Sequence, residues 1–496
     1  MGPFNFPTQI DDARVYGRAV EWLKSRNVLL PTFSQLRNPH TIPADIEEQL
    51  ATISPDDAHP LNLFRVHWYN DVSRSGRAEV PVHLELPKSL TGVNARIVVA
   101  IGALFPMITA HKVLAAYSCL VPRIVTGRFD PAHHRAVWPS TGNYCRGGIA
   151  ISRILNCHGV AVLPQGMSRE RFAWLEQWVT DPADIVRTPG TESNVKEIYD
   201  ACAELERDET NEIINQFSEF GNYAGHYTVT GGALEHVFES LKAKDPNLEL
   251  AAFVAASGSS GTLATGDYLK QQLGSRTAVV EPVECPTLLY NGYGEHNIQG
   301  IGDKHLPLIH NVMNTDFFVA VSDRATDGLN AVFNSDEGKR YLADSMNVPA
   351  ETVAKLAWLG FSAIANVLAA IKLAKYLGLG PDDVVMTVAT DGADLYESEL
   401  AAYYARNFPE GVTARDAAAI CGEHLAGQDT SHLLEASHTD RRRIFNLGYF
   451  TWVEQQNIDL ADFDKRADQA FWRDLQALVP IWDELITAFN KETGLG

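Results

Sequence analysis

Three short stretches bring together residue types that could act on an anionic ligand. Lys112 lies in GALFPMITAHKVLAAYSCL, at the start of a largely apolar helical pattern. Burial disfavours an ammonium, so a lysine there either loses its proton and becomes a nucleophile and base, or snorkels to the surface. Pro139-Ser-Thr-Gly-Asn143 follows the run RAVW and precedes a helical pattern over 144–156. Ser140, Thr141, Gly142 and Asn143 would stand beside the unpaired N–H groups of a helix start, a setting for a carboxylate and equally for an ordinary N-cap. Ser257-Gly-Ser-Ser-Gly-Thr262 follows the apolar run 250–256 and opens a helical stretch over 263–273. The small residues Gly258, Ser259, Ser260, Gly261 and Thr262 let backbone N–H groups converge with the positive end of that helix on a phosphate, or they merely turn the chain. The stretch lacks a Walker lysine and does not match GxGxxG, so a nucleoside triphosphate or a dinucleotide is not the first choice.

The elements that must hold these turns alternate. From Ala95 onward the apolar runs RIVVAIG, RAVWPS, GVAVLP, DIVRTPG, LAAFVAASG, TAVVEP and VVMTVATDG are separated by segments of helical period. This predicts an α/β fold whose strands are mostly parallel and apolar on both faces. Residues 1–94 read as helical stretches (11–25 and 44–53) joined by Pro-bearing loops, and after Glu399 the chain turns to Ala- and aromatic-rich helix.

The order of these motifs resembles the fold-type II pyridoxal phosphate enzymes, in the cysteine synthase and cystathionine beta-synthase branch, over residues 95–395. Lys112 matches the Schiff-base lysine after the family's NPxxSxK segment, with Pro106 one position too far away. STGN at 140–143 matches the TSGN-type substrate loop, with Asn143 in the place of the asparagine that bonds the cofactor's ring hydroxyl. GSSGT at 258–262 matches the GTGGT phosphate cup. VLPQGMSRERFAWLE is similar to MPETMSxERR, and VEPVECPTL with HNIQGIGDKHLP is similar to VEPxxSPxL and HxIQGIGxGxxP. In this register Gly300 and Gly302 lie in the loop lining the substrate face of the ring, and Gln216 and Phe217 match the QF segment at the cleft. The resemblance implies a two-lobed, tryptophan synthase beta-like fold with mostly parallel sheets flanked by helices and with helical N- and C-terminal additions. Its expected parts are a helical extension with the start of the large lobe (1–94), a small lobe with Lys112 and the substrate loop (95–230), a large lobe with the cup (231–399) and a helical extension (400–496).

Two departures bear on chemistry. The family's serine facing the pyridine nitrogen falls on Gly392 in Thr390-Asp391-Gly392-Ala393, and Thr390 is the replacement proposed for it. A neutral hydroxyl leaves the ring nitrogen unprotonated, which suits alpha-proton loss followed by beta-elimination. After Asn143 the small Thr or Ser becomes Tyr144, with Arg146 two residues on, either to recognise a larger or acidic substrate group or as a helix-surface charge. The implied activity is beta-elimination or beta-replacement on cysteine, O-acetylserine or serine through an aminoacrylate, with a thiol or sulfide as possible co-substrate. A serine/threonine dehydratase and a cofactor-binding protein without catalysis are the rivals. A homodimer is the family expectation.

Composition agrees. The chain has 496 residues with 41 Lys plus Arg against 62 Asp plus Glu, a formal charge of −21, which argues against nucleic acid or an anionic membrane as partner. The six cysteines are scattered without a CxxC pair, as reduced thiols would be; no basic-then-apolar leader opens the chain, Gly2 is not followed by Ser or Thr at residue 6, and a cytoplasmic location is expected. The histidines at 133, 134, 424, 432 and 438 lack a metal-ligand spacing, and the first cysteine, Cys119, lies too far along for an N-terminal haem ligand.

Overall fold

The computed structural model describes residues 3–496; Gly2, where the acylation pattern was weighed, lies outside the described residues. Eleven strands follow in chain order: β1 (His83–Leu86), β2 (Arg96–Ile101), β3 (Arg135–Pro139), β4 (His158–Pro164), β5 (Ile185–Thr188), β6 (Asn211–Ile213), β7 (Glu249–Ala256), β8 (Arg276–Pro282), β9 (Phe317–Val321), β10 (Asp383–Ala389) and β11 (Leu433–Glu435). They form a seven-stranded sheet of order β1-β2-β10-β7-β8-β9-β11 and a four-stranded sheet of order β5-β4-β3-β6. All pairs are parallel except the two edges, β1 on β2 and β11 on β9.

The large sheet is parallel because its central strands are apolar on both faces and are covered on both. Along β2 and β10 the side chains alternate between two cores. Val98, Ala100, Met386 and Val388 face one, and Ile97, Val99, Ile101, Val385 and Ala389 face the other. Five helices carry or frame the site: α1 (Lys112–Ile124), α2 (Asn143–Ile154), α3 (Arg169–Trp178), α4 (Leu263–Leu273) and α5 (Phe361–Leu377). Helix α5, apolar nearly all round, fills the second core of the large sheet.

Every apolar run named from the sequence is a strand. Four short strands, β1, β6, β9 and β11, were not separated from their surroundings. Two placements differ from expectation. Strand β2, grouped by sequence with residues 95–230, lies between β1 and β10 in the large sheet, where both of its apolar faces are buried. The region after residue 400 is not purely helical, since β11 lays its backbone antiparallel along β9.

The two terminal regions also pack on each other. Asp483 accepts from the backbone N–H groups of Phe33 (2.6 Å) and Ser34 (3.0 Å), satisfying the open donors of a short helix. The basic run Arg441 to Arg443 forms structural ties, Arg441 Nε donating to Thr315 O at 2.7 Å and Arg441 pairing with Asp316 at 3.2 Å. No helix among the described residues is long and apolar enough to cross a membrane.

Candidate active site

The turns at the C-terminal ends of β3, β7 and β10 converge on one cavity, as open parallel sheets place ligands at that edge. Its wall includes Lys112, Ser140, Thr141, Asn143, Tyr144, Gln216, Phe217, Gly258, Ser259, Ser260, Thr262, Gln299, Gly300, Ser362, Asn366 and Thr390. Lys112 opens α1, and its amine donates to Ser259 Oγ at 3.1 Å. Burial lowers its ammonium to about 8, against the attraction of Asp303, Cys119 and Glu192. A lysine of that kind is neutral often enough near neutral pH to act as a nucleophile and base.

The turn before α4 is shaped for an anion. No side chain caps the helix, and its first N–H groups turn back on the chain, Leu263 donating to Ser260 O at 3.1 Å, Ala264 to Gly261 O at 3.1 Å and Thr265 to Thr262 O at 3.0 Å, so an anion would be met by the turn itself at the positive end of the helix. Ser260 holds φ +65°, a left-handed conformation costing on the order of 1 kcal/mol in a non-glycine residue. Its hydroxyl lies 2.8 Å from Ser257 Oγ, which locks the curl. A Cβ on Gly258 would stand 2.3 Å from Gly300 O, and one on Gly261 2.2 Å from Asn222 Oδ1. Asn222 in turn donates to Ser259 Oγ at 3.0 Å and to Gln216 O at 3.1 Å. Gly302 stands behind the wall; at φ +78° it donates its N–H to Ser257 O at 2.9 Å, strapping the loop to the cup.

The turn before α2 is likewise uncapped by any side chain, so it is not an ordinary N-cap. Ser140 Oγ accepts from Gly142 N at 2.9 Å, and Gly142 adopts φ +149° with Arg171 packed where a Cβ would go, at 2.7 Å. Asn143 donates from Nδ2 to Asp391 Oδ2 at 2.6 Å, while its Oδ1 accepts from Arg146 at 2.9 Å.

Arg146 therefore departs from both sequence readings. It is buried, stacks over the Trp174 ring at 5.0 Å and is neither at the substrate wall nor on the helix surface. Three residues along a helix turn its guanidinium back onto Asn143. Tyr144 does form part of the wall, but its hydroxyl donates to Ile214 O at 3.1 Å. Thr390 lines the cavity, and its Oγ1 lies 3.1 Å from His111 Nε2.

Sequence reasoning did not find the network behind these residues. Arg171, on α3, reaches Tyr396 OH at 2.9 Å and the Gln299 side chain, and Tyr396 donates to Asp391 Oδ2 at 2.9 Å. Glu192 and Asp303 are buried near Lys112; burial pushes the Glu192 carboxyl up to about 7, opposed by Arg171 and Thr141, and burial likewise raises Asp303. A signal existed for Arg171, inside the MSRER stretch, and for His111, next to Lys112, but isolated buried polar residues carry no spacing pattern.

A buried lysine hydrogen-bonded to a Gly- and Ser-rich turn, in a cavity at the C-terminal edge of a parallel sheet, is an arrangement that suits a pyridoxal phosphate enzyme. The chain belongs to the pyridoxal-phosphate dependent enzyme family, whose sequence pattern matches residues 106–391. It acts on amino acids. It is 30% identical over 257 residues to cysteine synthase B of Campylobacter jejuni, covering 51% of this chain and 75% of that protein. It is 26% identical over 208 residues to cystathionine beta-synthase of Saccharomyces cerevisiae, covering 41% of this chain and 39% of the yeast protein. Among solved structures, O-acetylserine sulfhydrylase isoform 3 of Entamoeba histolytica superimposes with a TM-score of 0.54 at 21% identity, over 68% of this chain and 92% of that one. A hydrogen sulfide-producing enzyme of Fusobacterium nucleatum gives 0.53 at 21% identity, over 64% and 96%. These establish the two-lobed fold.

The residues fit pyridoxal phosphate. The cup has no room for a Cβ at Gly258 or Gly261, which lets a ligand approach its backbone, and the Asn366 Oδ1 acceptor in the same cavity is buried without a partner.

Proposed function

We propose that this chain catalyses beta-elimination or beta-replacement on an amino acid of the cysteine, O-acetylserine or serine type, as a cysteine synthase or a cysteine lyase. The observation that carries the reading is the Lys112 amine 3.1 Å from Ser259 in the phosphate cup, with the Ser140 to Asn143 turn on the same cavity. The activities named for the similar proteins of Campylobacter, Entamoeba and Fusobacterium support it.

Lys112 would hold the cofactor covalently, Gly258 to Thr262 its phosphate, and Asn143 and Thr390 its ring. When bound, the cofactor supplies the electron sink that makes the substrate's alpha hydrogen acidic. The N–H groups at the start of α2, with Ser140 and Thr141, orient the alpha-carboxylate without a cationic side chain. Once the substrate's amine has displaced it, the freed Lys112 amine would remove the alpha proton. Tyr144, Phe217 and Ile301 close the wall and exclude water, while Gln216 and Gly300 border the space for the beta substituent. Loss of the alpha proton lets the beta substituent leave with its bonding pair, as acetate, sulfide or water; sulfide or a thiol then adding at the beta carbon would make the enzyme a synthase, and hydrolysis to pyruvate and ammonia would make it a lyase.

Incubation with O-acetylserine, cysteine, serine and threonine, with and without sulfide, tests this. Cysteine from O-acetylserine and sulfide, or pyruvate from cysteine, supports the reading. 2-Oxobutyrate from threonine alone replaces it with a dehydratase, and bound cofactor without turnover of any amino acid overturns it. The reading places the enzyme in the cytoplasm as a homodimer, supported by six unpaired, buried cysteines and by the family resemblance; light scattering reads the oligomeric state.

A further inference from the structure

The chain beyond residue 391, where the family's sequence pattern ends, reaches back to the segment behind the cavity wall and holds it at two carbonyls. Residues 300–310 contain no helix or strand, so no regular ladder takes up their backbone groups. Side chains of the C-terminal region supply two of the missing donors. Trp452 donates from Nε1 to Leu306 O at 2.7 Å, and Arg466 donates from Nη1 to Leu308 O at 2.6 Å.

Both donors are locked by packing. The buried Trp452 indole lies 5.9 Å from the His305 ring and 6.1 Å from the Tyr199 ring, and Tyr199 OH stands 3.0 Å from His305 Nε2. The Arg466 guanidinium is buried over the rings of Phe463 at 4.3 Å and Phe445 at 4.9 Å. It also donates from Nε to Phe463 O at 3.2 Å, and its Nη2 is buried without a partner. A buried cation with an open donor is costly, and the carbonyl it reaches outside its own segment is that of Leu308.

From these carbonyls the contacts lead to the cavity. Leu308 N and Ile309 N both donate to Phe217 O, at 2.8 and 3.3 Å, and the Phe217 ring meets the His305 ring edge-on at 4.8 Å. Phe217 lines the cavity, whereas neither Trp452 nor Arg466 does. We propose that Trp452 and Arg466 are positioning residues: they hold residues 305–309 against Phe217 and so fix the wall beside the space for the beta substituent. This rests on the proposed function for what occupies that space; the clamp itself is made outside the cavity. It acts on amino-acid binding and leaves the cup at 258–262 alone.

Steady-state kinetics on O-acetylserine with sulfide and on cysteine, beside a fluorescence titration of pyridoxal phosphate, tests this. Arg466→Met removes the donor and the buried charge together, so the desolvation cost goes with the lost contact and the fold is expected to survive. KM is expected to rise about fivefold, the worth of one hydrogen bond, with kcat changed less than about twofold and cofactor affinity unchanged. Trp452→Phe, which keeps a ring against His305 and loses the N–H, moves KM in the same direction. A merely structural role would lower cofactor affinity and kcat in step with the rise in KM. Hydrogen exchange of the wild-type holoenzyme needs no variant: residues 305–309 are expected to open together with residues 450–466. Exchange at 305–309 while 450–466 stays protected, a KM unmoved in both folded, cofactor-loaded variants, or a parallel loss of cofactor affinity and kcat would each overturn the inference and leave the proposed reaction intact. A wild-type protein that binds cofactor and turns over no amino acid would overturn the proposed reaction, and the exchange measurement would still decide the clamp.

Discussion

The Lys112 amine donates to Ser259 Oγ across 3.1 Å, joining the first residue of α1 to the turn before α4, 147 positions away in sequence. In the proposed function this contact puts the covalent and the electrostatic anchor of the cofactor side by side in one cavity. The same serine accepts from Asn222 at 3.0 Å, which holds it in place.

Removing the amine separates the anchors. Lys112→Ala is expected to lose both the visible absorbance of covalently bound cofactor and turnover of every amino acid tried, while the phosphate cup still retains cofactor weakly. Absorption spectra and a pyruvate assay check this; a variant keeping both the band and the activity would show that another residue carries the bond.

The lowered Lys112 pKa has a kinetic consequence. Only the neutral amine attacks an aldehyde, and it is half populated at about 8. In the chain stripped of cofactor, the rate of covalent rebinding is expected to rise about tenfold per pH unit below that value and to level off above it. Stopped-flow absorbance from pH 6 to 10 reads the profile, and a rate still climbing at pH 10 would mean an ordinary exposed lysine.

Gly258 leaves no room for a side chain. Its Cβ would stand 2.3 Å from Gly300 O, a backbone atom. Overpacking of this kind costs about 1–3 kcal/mol. Gly258→Ala is therefore expected to lower the melting temperature, and to weaken cofactor binding about tenfold or more if the displaced cup forfeits one hydrogen bond to the phosphate. Calorimetry and a fluorescence titration report the two effects separately.

Arg146 should act through Asn143 rather than on substrate. Arg146→Met leaves Asn143 Oδ1 without its donor, an expected loss of about 1–3 kcal/mol, and it should weaken cofactor binding. The ratio of kcat/KM between O-acetylserine and cysteine should stay unchanged. A change in that ratio with cofactor affinity intact would return Arg146 to a recognition role.

Much of this site was legible before the fold. The turns at 140–143 and 258–262 each follow an apolar run and precede a helix, and that local grammar places them at the C-terminal edge of a sheet, where the structure has them. Thr390 was recoverable because it sits just past the last such run. Arg146 was misread because its spacing on α2 says which residues it can reach along the helix, but not whether that face meets solvent or Trp174. The small strands β6 and β11, three residues each, have too few positions to show an alternation.

By itself the sequence determined seven of the eleven strands, their apolar character, the helices between them, and the lysine and the two small-residue turns that line one cavity. These are local properties, written in periodicity and in small-residue turns. Tertiary structure alone decided that β2 joins the large sheet, that Asp391 meets Asn143, and that His111 touches Thr390 across a separation of 279 residues. Such pairings satisfy buried polar groups, and a buried polar group takes whatever partner the packed elements bring to it, so its partner leaves no trace in the spacing of the chain.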